Sequence, residues 1–166
     1  MIKPVLRNLI FFILFFPFCI YASEPIKIAA IFAETGIAKE GSNKQCIEAA
    51  KLTVAKLNKE GGMLGRKLQL IIIDNKSTPI GSKNAADRAV DMDVAAVIGA
   101  DWSSHSIPIA NVLQKAKIPM ITPISTNSKV TKTGNYIFRV CFNDESQGKA
   151  IANFAYSYLK ARTAII

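Results

Sequence analysis

Short, almost purely apolar runs alternate with longer amphipathic segments along this chain. Between the runs, apolar residues recur at three- and four-residue steps, which predicts helices with one buried face. Apolar runs of this length are typical of strands covered on both faces of a parallel sheet. Strands that alternate with helices form βαβ units, so the sequence predicts an α/β fold with helices on both faces of a parallel sheet. The runs lie at residues 26–33, 68–74, 94–98, 118–122 and 136–142.

Local signals mark the ends of several predicted helices. Ser42 or Asn43 can cap the first helix, and Gly61 or Gly62 after it can take the left-handed conformation that ends helices. Pro79 stands in the first turn of the second helix. Further helices are predicted around residues 109–116 and over 145–160, residues 123–135 are predicted to form a polar loop, and residues 163–166 to begin a sixth strand.

The first 22 residues have the order of a secretory signal peptide. Lys3 and Arg7 precede an apolar run over residues 9–21, and the segment contains no acidic residue. Cleavage is expected after Ala22, because Ile20 and Ala22 occupy the two positions that signal peptidase inspects. The sequence therefore predicts export of a chain that begins at residue 23 and is not inserted stably in a membrane.

Two other interpretations of the leader remain open. A membrane anchor needs about 20 apolar residues, and this run is shorter. A lipid anchor at Cys19 calls for a small residue just before the cysteine, where Phe18 stands. Both features favour the signal peptide.

The charge of the chain does not indicate nucleic-acid binding. The formal net charge is +9, and two of the positive charges leave with the leader. The remaining excess is mostly Lys along presumed helix faces, without interleaved aromatic residues or a tight basic cluster. Such a pattern is typical of a solvated surface.

Two cysteines remain after the leader, Cys46 and Cys141. A disulfide is possible in an oxidising compartment, but the spacing does not show that the two residues meet, and free thiols are favoured. The chain contains one histidine, and no Cys and His spacing indicates zinc. We therefore predict neither a metal nor another cofactor.

Signals for catalysis are weak. Ser103 and Ser104 lie beside His105, but residues this close at a helix start diverge in direction, and no G-x-S-x-G nucleophile elbow occurs. The first strand leads into residues 34–36, which do not form a G-x-G-x-x-G turn, although Asp74 ends the second strand as a ribose-binding acid would. We predict that the chain is not an enzyme.

Ligands of parallel α/β sheets bind at the carboxyl ends of the strands. A helix that starts at Ser103 and Ser104 would offer unpaired N–H groups and about half a positive charge to an anion there. Four loops meet at this edge, beginning at Glu34, Asp74, Gly99 and Pro123.

Four stretches of the chain carry a resemblance to a known family. They occur in one order and at family-like spacing, and together they cover most of the chain after residue 22. On them, the chain resembles the type I periplasmic binding proteins of leucine, isoleucine and valine uptake systems. The stretches read IKIAAIFAETG, LNKEGGMLGRKLQLIIIDN, VIGADWSSHSIPIANVLQKAKIPMITPISTNSKVT and YIFRVCFNDESQG.

The resemblance implies a site for a small zwitterion. Ser103 matches the serine that binds the α-carboxylate of the ligand, with Trp102 just before it, and Thr126 matches a threonine in the second binding loop. Ile124 matches a position that turns its backbone carbonyl toward the ammonium group. Glu40 falls at about the position where many members place an aromatic or polar side chain over the ligand, so a preference for plain aliphatic amino acids is not assured. Ser104 belongs to the same helix start as Ser103.

The resemblance also implies a periplasmic location, an ABC-transporter permease as partner and a division of the chain. Residues 23–141 correspond to most of a first lobe, and residues 142–166 to a crossover and the beginning of a second lobe. The segment that returns to the first lobe and nearly all of the second lobe have no counterpart in these 166 residues. We therefore expect weak binding or none by this polypeptide alone. A ligand-sensing receptor module, or a fragment that pairs with a separately encoded second lobe, is the alternative.

Overall fold

The computed structural model describes residues 24–165. The predicted signal peptide and its cleavage site lie outside these residues. Among residues 24–165, no helix has the length and apolar character needed to cross a membrane.

Five strands form one parallel sheet. The strand order is β2-β1-β3-β4-β5, so the chain starts near one edge, crosses back over β1 and then builds outward to β5. The predicted parallel α/β fold is confirmed. In chain order, the elements are β1 (Ile26–Phe32), α1 (Ser42–Lys59), β2 (Leu68–Asp74), α2 (Pro79–Asp91), β3 (Ala96–Gly99), α3 (Ser103–Ala116), β4 (Met120–Thr122), a 3-10 turn (Thr131–Thr133), β5 (Ile137–Arg139), α4 (Asp144–Asn153) and a π turn (Phe154–Tyr158).

The two faces of the sheet pack against different helices. In β1, Ala29 and Ile31 belong to a core that includes α2 and α3, whereas Ala30 and Phe32 pack on the other face against α1. Because side chains alternate along a strand, a strand buried on both faces must be apolar at every position, as the run in β1 is. The core on the side of α2 and α3 is the larger of the two.

One face of the sheet is only partly covered. Helix α1 packs over β1 and β2, and an open apolar groove of about 460 Å³ lies beside it. Ile121 in β4 is 37% exposed and Phe138 in β5 is 51% exposed, and both side chains line this groove. The term apolar groove refers below to this hollow, whose lining includes Phe32, Cys46, Val54, Ile98, Ile121 and Phe138.

The start of α1 differs from the prediction. Gly41 is the capping residue and makes no side-chain cap, so neither Ser42 nor Asn43 caps the helix. The Ser42 hydroxyl donates instead to Asp101, and the Asn43 side-chain oxygen accepts a hydrogen bond from the N–H of Ala33 at 3.0 Å. The predicted end of this helix is confirmed, since Gly61 and Gly62 both have positive φ, the conformation that only glycine adopts readily.

The last part of the chain departs furthest from the sequence prediction. β5 is shorter than predicted, and the helix changes at Phe154 into a π turn. The sixth strand predicted at residues 163–166 is wrong for residues 163–165, which the structure describes and which have no strand conformation. A strand persists only where its N–H and C=O groups are paired, and these three residues have no neighbouring strand. Residues 144–165 are almost entirely exposed.

Both cysteines after the leader are free and half-buried, so the prediction of free thiols is confirmed. Cys46 lies on α1 at the apolar groove. The Cys141 thiol is directed at the backbone carbonyl of Ser125, 3.5 Å away.

Candidate functional site

Helix α3 begins at the carboxyl end of β3, as predicted. Trp102 caps it with an extended backbone, and its carbonyl accepts hydrogen bonds from the N–H groups of His105 and Ser106, both at 2.9 Å. The Trp102 ring is 43% exposed and stacks on His105, with ring centroids 5.3 Å apart. Ser103 is half-buried and Ser104 is exposed. The helix therefore presents its N-terminal turn beside an aromatic ring that is partly open to solvent.

Ser103 is in contact with the loop after β4. Its hydroxyl oxygen accepts a hydrogen bond of 3.2 Å from the backbone N–H of Asn127, the residue after Thr126. Thr126 is half-buried, and Ile124, two residues earlier in the loop, is 37% exposed. The structure thus brings together Ser103 and the loop that carries Ile124 and Thr126.

A buried network of hydrogen bonds between hydroxyl and carbonyl groups joins the loop after β3 to the loop after β4. The hydroxyls of Ser106 and Ser125 lie 2.7 Å apart, and that of Ser125 donates to the Asp101 carbonyl at 2.7 Å. The hydroxyls of Ser106, Thr122 and Ser125 all reach the carbonyl of Ala100. Since Ser106, Thr122 and Ser125 are buried, each of these hydrogen bonds replaces one to water, and the loss of a partner would be costly.

Arg139 holds the loop after β4 from the other side. One terminal nitrogen of its guanidinium donates to the carbonyl oxygens of Ser125, Thr126 and Asn127, at 3.3, 3.1 and 3.0 Å. The other terminal nitrogen donates to the Thr131 hydroxyl at 3.1 Å. Sequence reasoning missed this residue, because a single Arg at the end of a strand does not reveal which loop its side chain will reach.

Asp101 connects the start of α1 to the site. It is buried and accepts hydrogen bonds on Oδ2 from the Ser42 hydroxyl and from the Asn43 side-chain amide, the latter at 2.9 Å. Asp101 lies two residues before Ser103. Its bonds to Ser42 and Asn43 therefore hold the end of the first loop, the loop between β1 and α1, against the turn at Ser103. The sequence analysis did not single out Asp101.

The first loop is held by Asp74 at the end of β2. The Asp74 carboxylate accepts from the N–H groups of Glu34 (2.9 Å), Thr35 (3.3 Å) and Lys76 (2.8 Å), and from the Thr35 hydroxyl. Burial alone would raise the pKa of Asp74, but the hydrogen bonds outweigh it and lower the pKa below its ordinary value. Asp74 thus acts as a structural acceptor for the loop.

Glu40 lies apart from the other predicted site residues. Its side chain is exposed and pairs with Lys39 at 3.7 Å. It lines a separate hollow of about 210 Å³ whose lining includes Ala33, Lys44, Ile47 and Lys51, and neither Ser103 nor Thr126 takes part in it. The structure does not bring Glu40 into contact with Ser103 or Thr126.

His105 is buried, stacks on Trp102 and lies close to Ser77 in the loop after β2. Burial lowers its pKa, and the nearby carbonyl of Ser77 and the carboxylate of Asp101 oppose that shift only in part. Burial therefore favours the uncharged form of the imidazole. Among residues 24–165, no group of three His, Cys, Asp or Glu side chains is placed to hold a metal ion.

The arrangement suits the carboxylate end of a small ligand. A helix N-terminus supplies N–H donors and partial positive charge, and the serine hydroxyl beside it adds a directional donor. The partly exposed side chain of Trp102 lies next to this turn.

Comparisons with known proteins agree on one family. The sequence profile described as periplasmic binding protein matches residues 25–166. An amino acid binding protein of Pseudomonas aeruginosa is 33% identical over 88% of this chain and 39% of its own length. A Leu/Ile/Val-binding protein of Rhizobium johnstonii is 32% identical over 87% of this chain and 40% of its own length.

Solved structures give the same result. The leucine-binding protein LivK of Thermotoga maritima is 37% identical, with a TM-score of 0.73 over 82% of this chain and 38% of the other. The branched-chain amino acid binding protein LivJ of Streptococcus pneumoniae, in complex with isoleucine, is 30% identical, with a TM-score of 0.76 over 82% of this chain and 39% of the other. The chain thus spans about two fifths of the length of the relatives it matches.

Proposed function

Because this chain belongs to the periplasmic binding protein family, we propose that it is the solute-binding component of an ABC-type uptake system for branched-chain or similar amino acids. The relatives named above bind amino acids, and one of them holds isoleucine in its structure. The proposed role is binding, without catalysis. The proposed partners are a small-molecule ligand and the membrane permease of the transporter.

The contact between Ser103 and Asn127 carries this proposal. It joins the N-terminus of α3 to the loop that carries Thr126, so that the Ser103 hydroxyl lies between the two. A carboxylate at this turn would accept hydrogen bonds from the hydroxyl groups of Ser103 and Thr126 and from the first N–H groups of α3. We assign the turn to the α-carboxylate of the ligand.

The remaining predicted residues receive roles around this turn. The backbone carbonyl of Ile124 is assigned to the ammonium group, Ser104 to the same anion site as Ser103, and Trp102 to the wall over the ligand. Glu40 is assigned to the outer rim of the site, where it would meet only a ligand that extends over the first loop. This outer position is consistent with its exposure.

The proposed organisation of the chain follows the family. Residues 1–22 are assigned as a signal peptide that directs the chain to the periplasm, 23–141 as most of the N-terminal lobe, and 142–166 as the crossover and beginning of the second lobe. The exposure of residues 144–165 supports a boundary at about this place.

We propose that these 166 residues bind their ligand weakly. A hydrogen bond to a charged group contributes about 1.5–3 kcal/mol net, and a complex with a Kd of 1 mM needs about 4.1 kcal/mol after the cost of association. Two or three such bonds amount to about 3–9 kcal/mol before association. Because association costs about 4 kcal/mol or more, bonds at an open turn support a Kd of about 1 mM or weaker.

A second candidate is a chain that works together with a separately encoded partner, as a sensing module or as half of a binding protein. The apolar groove beside α1 favours it, because an exposed apolar hollow of this size commonly marks an interaction surface. The two candidates share the carboxylate site and differ in what completes the fold around it.

Saturation-transfer-difference NMR tests the proposed ligand class, because it detects complexes with millimolar Kd. We expect signals from L-leucine, L-isoleucine and L-valine, weaker signals from L-lysine and none from glucose. Equal signals from all five compounds would indicate non-specific contact and contradict the proposal. A signal from glucose alone would also contradict it.

A further inference from the structure

We propose that Arg139 is the positioning residue that holds residues 124–127 in the shape that binds a carboxylate. The inference deepens the proposed function and rests on it, since the shape matters only if this turn binds the ligand. Arg139 is half-buried and stands at the end of β5.

Three consecutive carbonyl groups of the loop converge on one nitrogen of Arg139. The oxygens of Ser125, Thr126 and Asn127 lie 3.0–3.3 Å from it. Three carbonyl dipoles that point at one place repel each other unless a positive charge lies between them. The guanidinium of Arg139 carries that positive charge.

The backbone and the side-chain end of Arg139 both have partners. In the parallel pairing of β4 with β5, Arg139 is the partner of Thr122, the last residue of β4 before the loop. Its second terminal nitrogen is fixed by the Thr131 hydroxyl. The side chain therefore starts from the same strand pair as the loop that it holds.

The direction of the carbonyls determines what the loop shows to a ligand. Because the carbonyl of Thr126 faces Arg139, the N–H of Asn127 in the same trans peptide group points the opposite way and donates to Ser103. The same three oxygens, if turned toward the site, would repel a carboxylate. Arg139 thus favours an anion at the turn in two ways, by removing oxygen dipoles from it and by adding a positive charge near it.

The carbonyl of Thr126 has a second donor, the N–H of Asp144 at the start of α4, at 3.0 Å. This bond joins the residue proposed to contact the ligand to the first turn of the C-terminal helix. It does not replace Arg139, since it reaches only one of the three oxygens.

Amide hydrogen exchange tests the inference without any ligand. In Arg139→Met, we expect the amide of Asn127 to exchange at least about tenfold faster than in the original chain, because its hydrogen bond to Ser103 depends on the loop shape. The amide of Val97, which donates to Pro119 within the sheet, should exchange at the same rate in both proteins. An unchanged rate at Asn127, or equal acceleration at both amides, would overturn the inference.

A charge-conserving variant separates position from charge and also serves if Arg139→Met does not fold. Lysine keeps the charge but has no planar fork, so Arg139→Lys should show most of the acceleration at Asn127. Exchange at the original rate in this variant would mean that charge alone suffices and would contradict a positioning role. Arg66→Met is the matched control, since Arg66 donates to the Glu24 carbonyl at the opposite end of the sheet.

Binding of L-leucine distinguishes this inference from the proposed function. If the original chain binds L-leucine, Arg139→Met should bind it at least about tenfold more weakly, and equal binding would overturn the inference alone. If the original chain does not bind L-leucine while Asn127 exchanges faster in the variant, the proposed function fails and the role of Arg139 in shaping the loop stands.

Discussion

The hydroxyl oxygen of Ser103 lies 3.2 Å from the backbone nitrogen of Asn127 and accepts its hydrogen bond. These residues belong to loops that follow two neighbouring strands, β3 and β4. At this contact, the N-terminus of α3 meets the loop after β4 at the carboxyl edge of the sheet. The proposed carboxylate site depends on this contact.

Removal of the Ser103 hydroxyl should weaken ligand binding. In Ser103→Ala, we expect the Kd for L-leucine to rise about tenfold, because a hydrogen bond to a carboxylate is lost while the fold is retained. A titration followed by NMR measures the change. Thr53→Ala is the matched control, because it removes a hydroxyl that bonds only to its own helix at Ala49. Equal affinities of the original chain and Ser103→Ala would remove Ser103 from the site.

Stability should decrease as the pH falls through the range of the histidine. Burial lowers the pKa of His105 in the folded chain, and in the unfolded chain the pKa is about 6.5. Below about pH 6.5, the unfolded state therefore binds the proton more readily, and the free energy of unfolding declines with falling pH. Urea denaturation at several pH values measures this slope, which should be smaller in His105→Gln. A slope that is unchanged in His105→Gln would show that other groups cause it.

The first loop should depend on Asp74. In Asp74→Ala, we expect the amides of Glu34 and Thr35 to exchange faster, because they lose their acceptor. Since hydrogen bonds lower the pKa of Asp74, the same loop should stay ordered at neutral pH and loosen only as the pH falls below about 3.9, the ordinary value for Asp. Asp91→Ala, at the exposed end of α2, is the control. Equal protection of both amides in Asp74→Ala would contradict this role.

The apolar groove should bind hydrophobic dyes. Phe138→Ser removes an exposed ring from the groove, so the fluorescence of bound anilinonaphthalene sulfonate should fall. Ile37→Ser removes a side chain that is 86% exposed in the first loop, outside this groove, and should leave the fluorescence unchanged. If the two variants reduce the fluorescence equally, the dye does not report on the groove.

The sequence predicted the sheet better than it predicted the site. β1 and β2 follow from apolar runs that reflect burial on both faces, a signal that lies within each segment. The same reasoning failed at the end of the chain, where strand formation at residues 163–165 needs a neighbour that those residues do not have. Local sequence patterns thus predict where a strand can form, and hydrogen bonds to a neighbouring strand decide whether it does form.

Within the site, the sequence pointed to Ser103 and Thr126 because helix starts and strand ends follow from local pattern and family resemblance. It did not indicate Arg139 or Asp101, whose roles come from contacts with residues far away in the chain. It also gave Ser42 or Asn43 as the residue that caps α1, whereas Gly41 holds that position and the Ser42 hydroxyl donates to the buried carboxylate of Asp101. These hydrogen-bond partners are set by the tertiary structure, and the spacing of residues along the chain does not reveal them.

The most direct test of the proposed carboxylate site is an NMR titration of the ¹⁵N-labelled chain with L-leucine and, separately, with L-leucinamide, which lacks the carboxylate. We predict saturable shifts of the amide signals of Ser103, Ser104, Thr126 and Asn127 with L-leucine and no saturable shifts with L-leucinamide. Equal shifts with both compounds, or largest shifts among the residues of the apolar groove, would contradict the proposal that this turn binds the acid end of an amino acid.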